Sequence, residues 1–458
     1  MLTAGLVVGS GVLATGAAVA TTPGGSGVTA RLLPGMRHGE PVTYSVAGRR
    51  KAGEAGLFQI EADGGAQLPV YCVDLLNGTR EDATYQETDW GASSLGGTAG
   101  PKIRWLLLHS YPNVAPAQLV EDAAAHGTAI DGLSEDEAAA ATQVAVWSFS
   151  DPGVPVQQAD AKAAALTGYL VGRAEAATDA PPGPSLALTP DAVAGASGQR
   201  LGPITVGTAG SQVELSLDRA ATEAKVTLTD EAGHPVKAVK GGTRIYAQVP
   251  AGTPAGVGQI TAEATVEVPA GRVFTGADAA GRHSQTLVLA GARPATTSAA
   301  ASVGWAATGP APAVSAEIDC AQSALVVTVT NSGDQDFTFT LADRTVTVRP
   351  KATQRVPVKL AEDQHYDLTL TGTGGFRKQF TGVLNCLTDS SATPAPTPPD
   401  TPATGARTPT HSATPAGGLA STGGGSDTPV LLGIAGVLMI AGGSAVFALR
   451  RRGRHIRI

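Results

Sequence analysis

Apolar and polar residues alternate every second position over much of the chain. Val213-Glu214-Leu215-Ser216-Leu217, Ala224-Lys225-Val226-Thr227-Leu228 and residues 260–266 show the pattern, as do Ala324-Leu325-Val326-Val327-Thr328-Val329 and Arg344-Thr345-Val346-Thr347-Val348. Side chains along a strand point alternately to its two faces, so this period predicts half-buried strands. Gly, Pro and Asp turns separate the runs at the spacing of a sandwich. Residues 185–295 therefore read as one all-β, sandwich-like module, 296–313 as a linker, and 315–387 as a second such module.

Residues 28–180 follow a different pattern. Strand-like pieces come first, at 41–46, 56–60 and 70–73. An apolar run at 103–109 follows, and then Ser134-Glu135-Asp136-Glu137, a capping box with Ser as N-cap and Glu three residues on. The spacing predicts a helix over 138–149 that stops near Asp151-Pro152, and a further helix over 161–177. Gln118, Glu121 and Asp122 read as a solvated helix face. This region is an α+β domain.

The two ends are apolar for other reasons. Residues 2–20 carry no charge and end in Ala18-Val19-Ala20, a small-x-small pattern suited to signal-peptide cleavage between Ala20 and Thr21. The alternative is a buried helix of a cytosolic protein. Residues 430–449 form an uncharged run long enough to cross a bilayer, at about 30 Å for twenty helical residues. Arg450, Arg451, Arg452, Arg454 and Arg457 follow at once, as on the cytoplasmic flank of a transmembrane helix. Before the span stands Leu419-Ala420-Ser421-Thr422-Gly423. The order pentapeptide, span, basic tail resembles the sorting signals of Gram-positive bacteria, with Ala420 as in the variant of high-GC species. That resemblance implies a sortase that cleaves after Thr422 and joins it to peptidoglycan; a plain membrane anchor is the alternative.

Composition completes the outline. Residues 388–418 are Thr/Pro/Ser/Ala repeats with too little apolar area to offset ordering entropy, and read as a disordered, wall-spanning spacer. The formal charge of −7 argues against a nucleic-acid partner. The histidines show no metal-ligand spacing, and neither β module contains a phosphate loop or a catalytic constellation. No cofactor or metal is expected. Crosslinks between Lys and Asn within the β modules are conceivable, but the sequence places none.

Three cysteines remain to be assigned, Cys72, Cys320 and Cys386. Cys320 precedes the first strand of the last module and Cys386 ends its last strand, so a disulfide between them fits. Closing such a loop contributes about 4 kcal/mol in the chain-entropy model. Cys72 is then left over, in the alternating stretch Pro69-Val70-Tyr71-Cys72-Val73 of an exported chain. A second anomaly lies in Ala141-Thr142-Gln143-Val144-Ala145-Val146-Trp147. On a helical period Gln143 shares a face with Ala139, Ala140, Val146 and Trp147, which puts a carboxamide inside an apolar stripe. Left unsatisfied there, it costs about 1–3 kcal/mol.

The Tyr71-Cys72 pair, followed by Thr142-Gln143-Val144-Ala145-Val146-Trp147, resembles the Cys-Gln thioester domains of Gram-positive surface adhesins, known from a T-Q-x-A motif. The resemblance covers residues 28–180. It implies an internal thioester between the Cys72 thiol and the Gln143 acyl group, formed with loss of ammonia. It further implies that a target lysine attacks the acyl carbon, leaving an isopeptide bond to Gln143 and a free Cys72 thiol. Such a protein is a single-turnover covalent adhesin, not a turnover enzyme. The residue chemistry agrees, because an amide is a poor acyl donor and a thiolate is both nucleophile and leaving group. Tyr71 and Trp147 are candidates for shielding the bond from water. Rival readings are a Cys72-centred hydrolase using His109 or His126, a buried structural Cys72 with a satisfied core Gln143, and a surface protein that binds without a covalent bond.

Overall fold

A computed structural model describes residues 20–21 and 27–386, except 81, 211 and 363. The expected signal segment up to residue 19, the spacer, the sorting motif, the 430–449 span and the basic tail lie outside the described residues. Among those described, no helix is long and apolar enough to cross a membrane. The architecture is mostly β, in several sheets, with few helices.

The N-terminal sheet has eight strands, every pair of them antiparallel. Its order is Thr29–Leu32, Thr84–Thr88, Val273–Ala277, His283–Leu289, Gln67–Cys72, Arg49–Ala62, His38–Val46 and Val156–Gln158. Thr29–Leu32 also pairs with Arg49–Ala62, so the first six strands close into a ring. One face of each ring strand fills the interior, where Ile60, Leu68, Val70, Tyr85, Phe274 and Leu287 are buried. The other face of Gln67–Cys72 and its neighbours packs against four helices: α1 (Ala99–Leu108), α2 (Pro116–Ala125), α3 (Glu135–Ser150) and α4 (Ala161–Ala174). On α2, Gln118 and Glu121 are exposed and Asp122 is half-buried, with Leu119 and Ala123 facing inward.

Two of the six ring strands come from the far side of the sequence. Val273–Ala277 and His283–Leu289 form a hairpin at the end of a long ribbon, in which Gly256–Val268 pairs with Arg293–Ala306 from Gly256↔Trp305 to Val268↔Arg293. The ribbon corrects two sequence expectations. Residues 273–289 belong to the N-terminal sheet rather than to a module over 185–295. Residues 296–306, expected as linker, are a strand. Their Ala, Ser and Thr side chains look unstructured in sequence. Paired with the ribbon strand they alternate, with Ala295, Thr297, Ala299, Ala301 and Val303 buried. Tertiary pairing overrides the weak local preference of such residues.

Arg272 fastens the hairpin. Its Nε donates to Glu87 Oε1 at 2.6 Å and its Nη1 to Asp89 Oδ1 at 2.6 Å. Glu87 also accepts from the Val28 N–H and from the Ser185 hydroxyl. Leaving one member of a buried pair alone is costly, so this network pins the hairpin to strand Thr84–Thr88.

The ribbon's other end belongs to a second core. There a four-stranded sheet containing Arg200–Gly207 and Arg244–Gln248 faces a five-stranded sheet containing the ribbon. A third core lies between a three-stranded sheet (Pro312–Asp319, Ala324–Asn331, Thr353–Lys359) and a five-stranded sheet that includes Phe337–Leu341, Arg344–Val348, His365–Gly372 and Arg377–Val383. The fifth strand of that sheet, Ala20–Thr21, spans the expected cleavage point and runs parallel to Arg377–Val383. Cys320 and Cys386 are bonded, with their Cα atoms 5.2 Å apart, as the sequence predicts.

Candidate functional site

Cys72 ends strand Gln67–Cys72 and pairs with Leu287 of the inserted hairpin on one side. On the other side, pairing with Arg49–Ala62 stops at Phe58↔Val70. The Cys72 peptide groups facing that side therefore have no strand partner. Gln143 takes the place of one. Its Oε1 accepts from the Cys72 N–H at 2.8 Å and its Nε2 donates to the Cys72 carbonyl at 2.7 Å. Cys72 is 2 % exposed and Gln143 0 %, so neither side chain meets water.

Helix α3 carries Gln143 to this position. Ser134 and Glu137 form the expected capping box. Glu137 also pairs with Lys162 of α4, which holds the carboxylate below its ordinary range and steadies the first turn. From Ala138 to Trp147 every residue is buried, because the helix lies between the ring interior and the helix layer. A helix apolar all round belongs inside a protein, and Ala at 138–141 and 145 allows close approach on several sides. Gln143 is the one amide in that stretch, and the Cys72 backbone satisfies it on both of its atoms.

The two aromatic candidates separate. Trp147 lies in the ring interior with Cys72, Val144 and Leu287. Its Nε1–H has no hydrogen-bond partner among the described residues. Tyr71, next to Cys72 in a strand, points to the opposite face, into the helix layer, where its hydroxyl donates to the Tyr111 carbonyl at 2.7 Å. It braces the strand from behind.

Burial, and after it the Asp74 carboxylate, push the Cys72 thiol well above its ordinary range. Asp74 is fully buried and accepts from the Thr286 N–H at 2.9 Å. His283 Nε2 lies 3.5 Å from Asp74 Oδ2. Tyr85 and Ser284 share a hydrogen bond of 2.8 Å. His283, Ser284 and Thr286 come from the hairpin, some two hundred residues from Cys72, and no local sequence signal marks them. The histidines that the sequence offered are elsewhere. His109 and His126 are exposed at the C-terminal ends of α1 and α2, each bonded to a carbonyl of its own helix.

One group of three carboxylates with ligand-like spacing occurs among the described residues: Glu40, Glu137 and Asp160. Glu137 is occupied by Ser134 and Lys162, and Asp160 accepts from the Lys162 and Ala163 N–H groups as the cap of α4.

Comparison with known proteins follows the same division. Residues 69–176, which include Cys72 and Gln143, match the family model of the thioester domain. Residues 312–383 match that of the bacterial phospholipase C C-terminal domain. Similar solved structures include the Bacillus anthracis TIE protein, at 12% identity over 79% of this chain and 81% of that one, TM-score 0.26. The thioester domain of the Enterococcus faecium TIE86 protein is 14% identical over 63% of this chain and 99% of that one, TM-score 0.30. The N-terminal thioester domain of a Clostridium perfringens surface protein is 18% identical over 32% and 88%, TM-score 0.21. No curated protein sequence matches. The resemblance to thioester domains read from Tyr71-Cys72 and residues 142–147 is thus shown by the family model.

Proposed function

We propose that the protein is a surface adhesin whose Cys72 and Gln143 form an internal thioester that acylates an amine, a lysine side chain, on a target. The observation that carries this reading is the docking of the Gln143 carboxamide onto both backbone groups of Cys72 in a site closed to water. It sets the acyl carbon beside the one free cysteine among the described residues.

The bookkeeping of the reaction is simple. The thiol adds to the Gln143 acyl carbon, the thiol proton passes to the amide nitrogen, and ammonia leaves. In the second step a neutral amine adds to the same carbon, the carbon–sulfur bond breaks, and the amine's surplus proton returns to sulfur. Burial keeps the released Cys72 sulfur protonated as a thiol. No cofactor or metal takes part, and each molecule reacts once. Trp147 and the apolar interior keep water from the bond.

We further propose the surface setting read from the sequence. The chain is exported by its first twenty residues and cleaved by a sortase at Leu419-Ala420-Ser421-Thr422-Gly423. It is then joined through Thr422 to peptidoglycan, with residues 388–418 spanning the wall and the two β modules as the stalk. The thioester-domain match at residues 69–176 supports this reading.

One experiment covers both parts. Protein released enzymatically from the wall, analysed by mass spectrometry, should be about 17 Da lighter than its sequence, for one ammonia lost. It should take up methylamine at Gln143 and end at Thr422. Cys72→Ala should abolish the deficit and the labelling. Full mass with no labelling of the wild type would falsify the acylation, and recovery of the arginine-rich tail would point to a plain membrane anchor.

A further inference from the structure

Strand His283–Leu289, which pairs with Cys72, is bulged just before the point of pairing. Phe274 stands opposite Leu287 and Gly276 opposite Ser284, so Gln285 and Thr286 together face the single residue Thr275. Such a bulge bends a strand and re-aims its side chains. In a regular strand, residues three apart face opposite sides. Here the bulge brings Ser284 and Leu287 to the same side. Ser284 bonds the Tyr85 hydroxyl, and Leu287 packs in the ring interior with Cys72 and Trp147. The place of Leu287 beside the reactive pair therefore depends on what holds the bulge.

Thr286 is fully buried and held on three sides. Its carbonyl accepts from the Val73 N–H at 2.9 Å, and its N–H donates to Asp74 Oδ2 at 2.9 Å. Those two bonds tie the bulge to the residues that follow Cys72. The third bond comes from another module. Asn385, 99 residues further along, donates from Nδ2 to the Thr286 hydroxyl at 2.8 Å. Asn385 is itself buried and stands between two anchored neighbours. The Leu384 N–H donates to the Gln364 carbonyl at 3.2 Å and the Cys386 N–H to Glu362 Oε1 at 2.6 Å, while Cys386 is bonded to Cys320. The tip of the same hairpin also meets this C-terminal module. A Cβ at Gly281 would stand 2.5 Å from the His365 ring. A module that served only as a stalk would need no buried hydrogen bond to the strand that pairs with Cys72.

We infer that Asn385 is a positioning residue for the acyl transfer, which makes the C-terminal module part of the reactive site. Acting through Thr286, it fixes the bulged strand against which Cys72 is set. The inference rests on the acylation reading. Gln143 is already gripped by the Cys72 backbone, so the freedom that remains lies in the end of strand Gln67–Cys72 and in its neighbour at Leu287. A displacement of about 1 Å at a reacting centre can cost up to about a hundredfold in rate. Loss of one of the three bonds on Thr286 should slow thioester formation without abolishing it.

The test uses the full chain, its thioester first opened with ammonia. Ammonia adds to the Gln143 acyl carbon, the carbon–sulfur bond breaks, and the surplus proton goes to sulfur. This restores the Gln143 amide and the Cys72 thiol at sequence mass. Once ammonia is removed, the return of the deficit of about 17 Da gives the rate of thioester formation. Asn385→Ala and Thr286→Val, which attack one bond from its two ends, should each slow that return about tenfold. The double variant should be no slower than either single one, because both remove the same interaction. Thr286→Ser, which restores the hydroxyl, should recover the parent rate. Cooperative urea melts on the same samples separate displacement from unfolding. Return at the parent rate in both single variants overturns the inference, as does slowing that adds up in the double variant or persists in Thr286→Ser. Variants that form the bond at the parent rate and then gather about 1 Da above sequence mass, the product of hydrolysis, also overturn it in favour of shielding. A parent that never shows the deficit overturns the acylation reading itself.

Discussion

Gln143 occupies the place of a missing strand residue. It offers one acceptor and one donor to the peptide groups of Cys72, as a neighbouring strand would. That bidentate grip fixes the carboxamide more firmly than a single bond could, and both atoms count. Gln143→Glu keeps the size and one acceptor but removes the N–H that satisfies the Cys72 carbonyl, and it buries a charge. The variant is expected to lose about 1–3 kcal/mol or more of stability in urea unfolding, and to show no mass deficit. A deficit in that variant would mean that the docked amide is not the acyl source. The pair was legible in sequence because both halves are local anomalies: a cysteine left without a disulfide partner, and an amide inside an apolar helix. Tyr71 was legible only in part. Adjacent residues of a strand face opposite sides, so the neighbour of a ring-facing Cys72 had to face the helix layer. The polar partners of Asp74 were not legible, since they arrive from residues 283–286 through pairing that no local window contains.

At the scale of elements, the site depends on a hairpin from another part of the chain. The capping box, α3, α4 and the strand pieces at 41–46, 56–60 and 70–73 follow from periodicity and capping, and they stand close to where the sequence put them, whereas Thr29–Leu32 carried no such signal. The insertion does not follow, because alternation says that a segment is a strand without saying which sheet receives it. The consequence is testable. A fragment of residues 21–180 holds both Cys72 and Gln143 but lacks two of the six ring strands, including the one that pairs with Cys72. It also lacks Arg272, leaving Glu87 without its counter-charge. Such a fragment is expected to be unfolded or aggregated, with no mass deficit, whereas residues 21–310 should fold and form the thioester. Circular dichroism melts together with intact mass would decide, and a cooperative melt of the short fragment would show the insertion to be dispensable.

For the whole molecule, a buried cation lies at the junction between the β modules. Lys378, from strand Arg377–Val383, sends its Nζ to the Val314 carbonyl and, at 3.3 Å, to the Ser302 hydroxyl of the ribbon strand. Burial pulls it down to about 8, and the opposing charge of Asp191 limits the fall. Burial likewise raises Asp191, which weakens that compensation. The sign of the linkage follows from proton counts. Between pH 8 and the ordinary lysine value of about 10.4, the unfolded chain binds more protons than the folded one. Stability therefore rises with pH across that interval, while below it the full cost of burying the charge is present. The cost is on the order of 3 kcal/mol at most, reduced by the solvent that reaches this partly buried site. The buried tyrosines Tyr71, Tyr85 and Tyr366, all raised, act in the opposite direction and only above about pH 10. In a Cys72→Ala background, which removes hydrolysis of the thioester from the comparison, the urea midpoint should rise from pH 7.5 to 9.5. Lys378→Met should remove that rise, because the group that titrates between about pH 8 and 10 is gone. A midpoint that stays level in the parent, or rises equally in the variant, would show that the junction does not hold a strained charge.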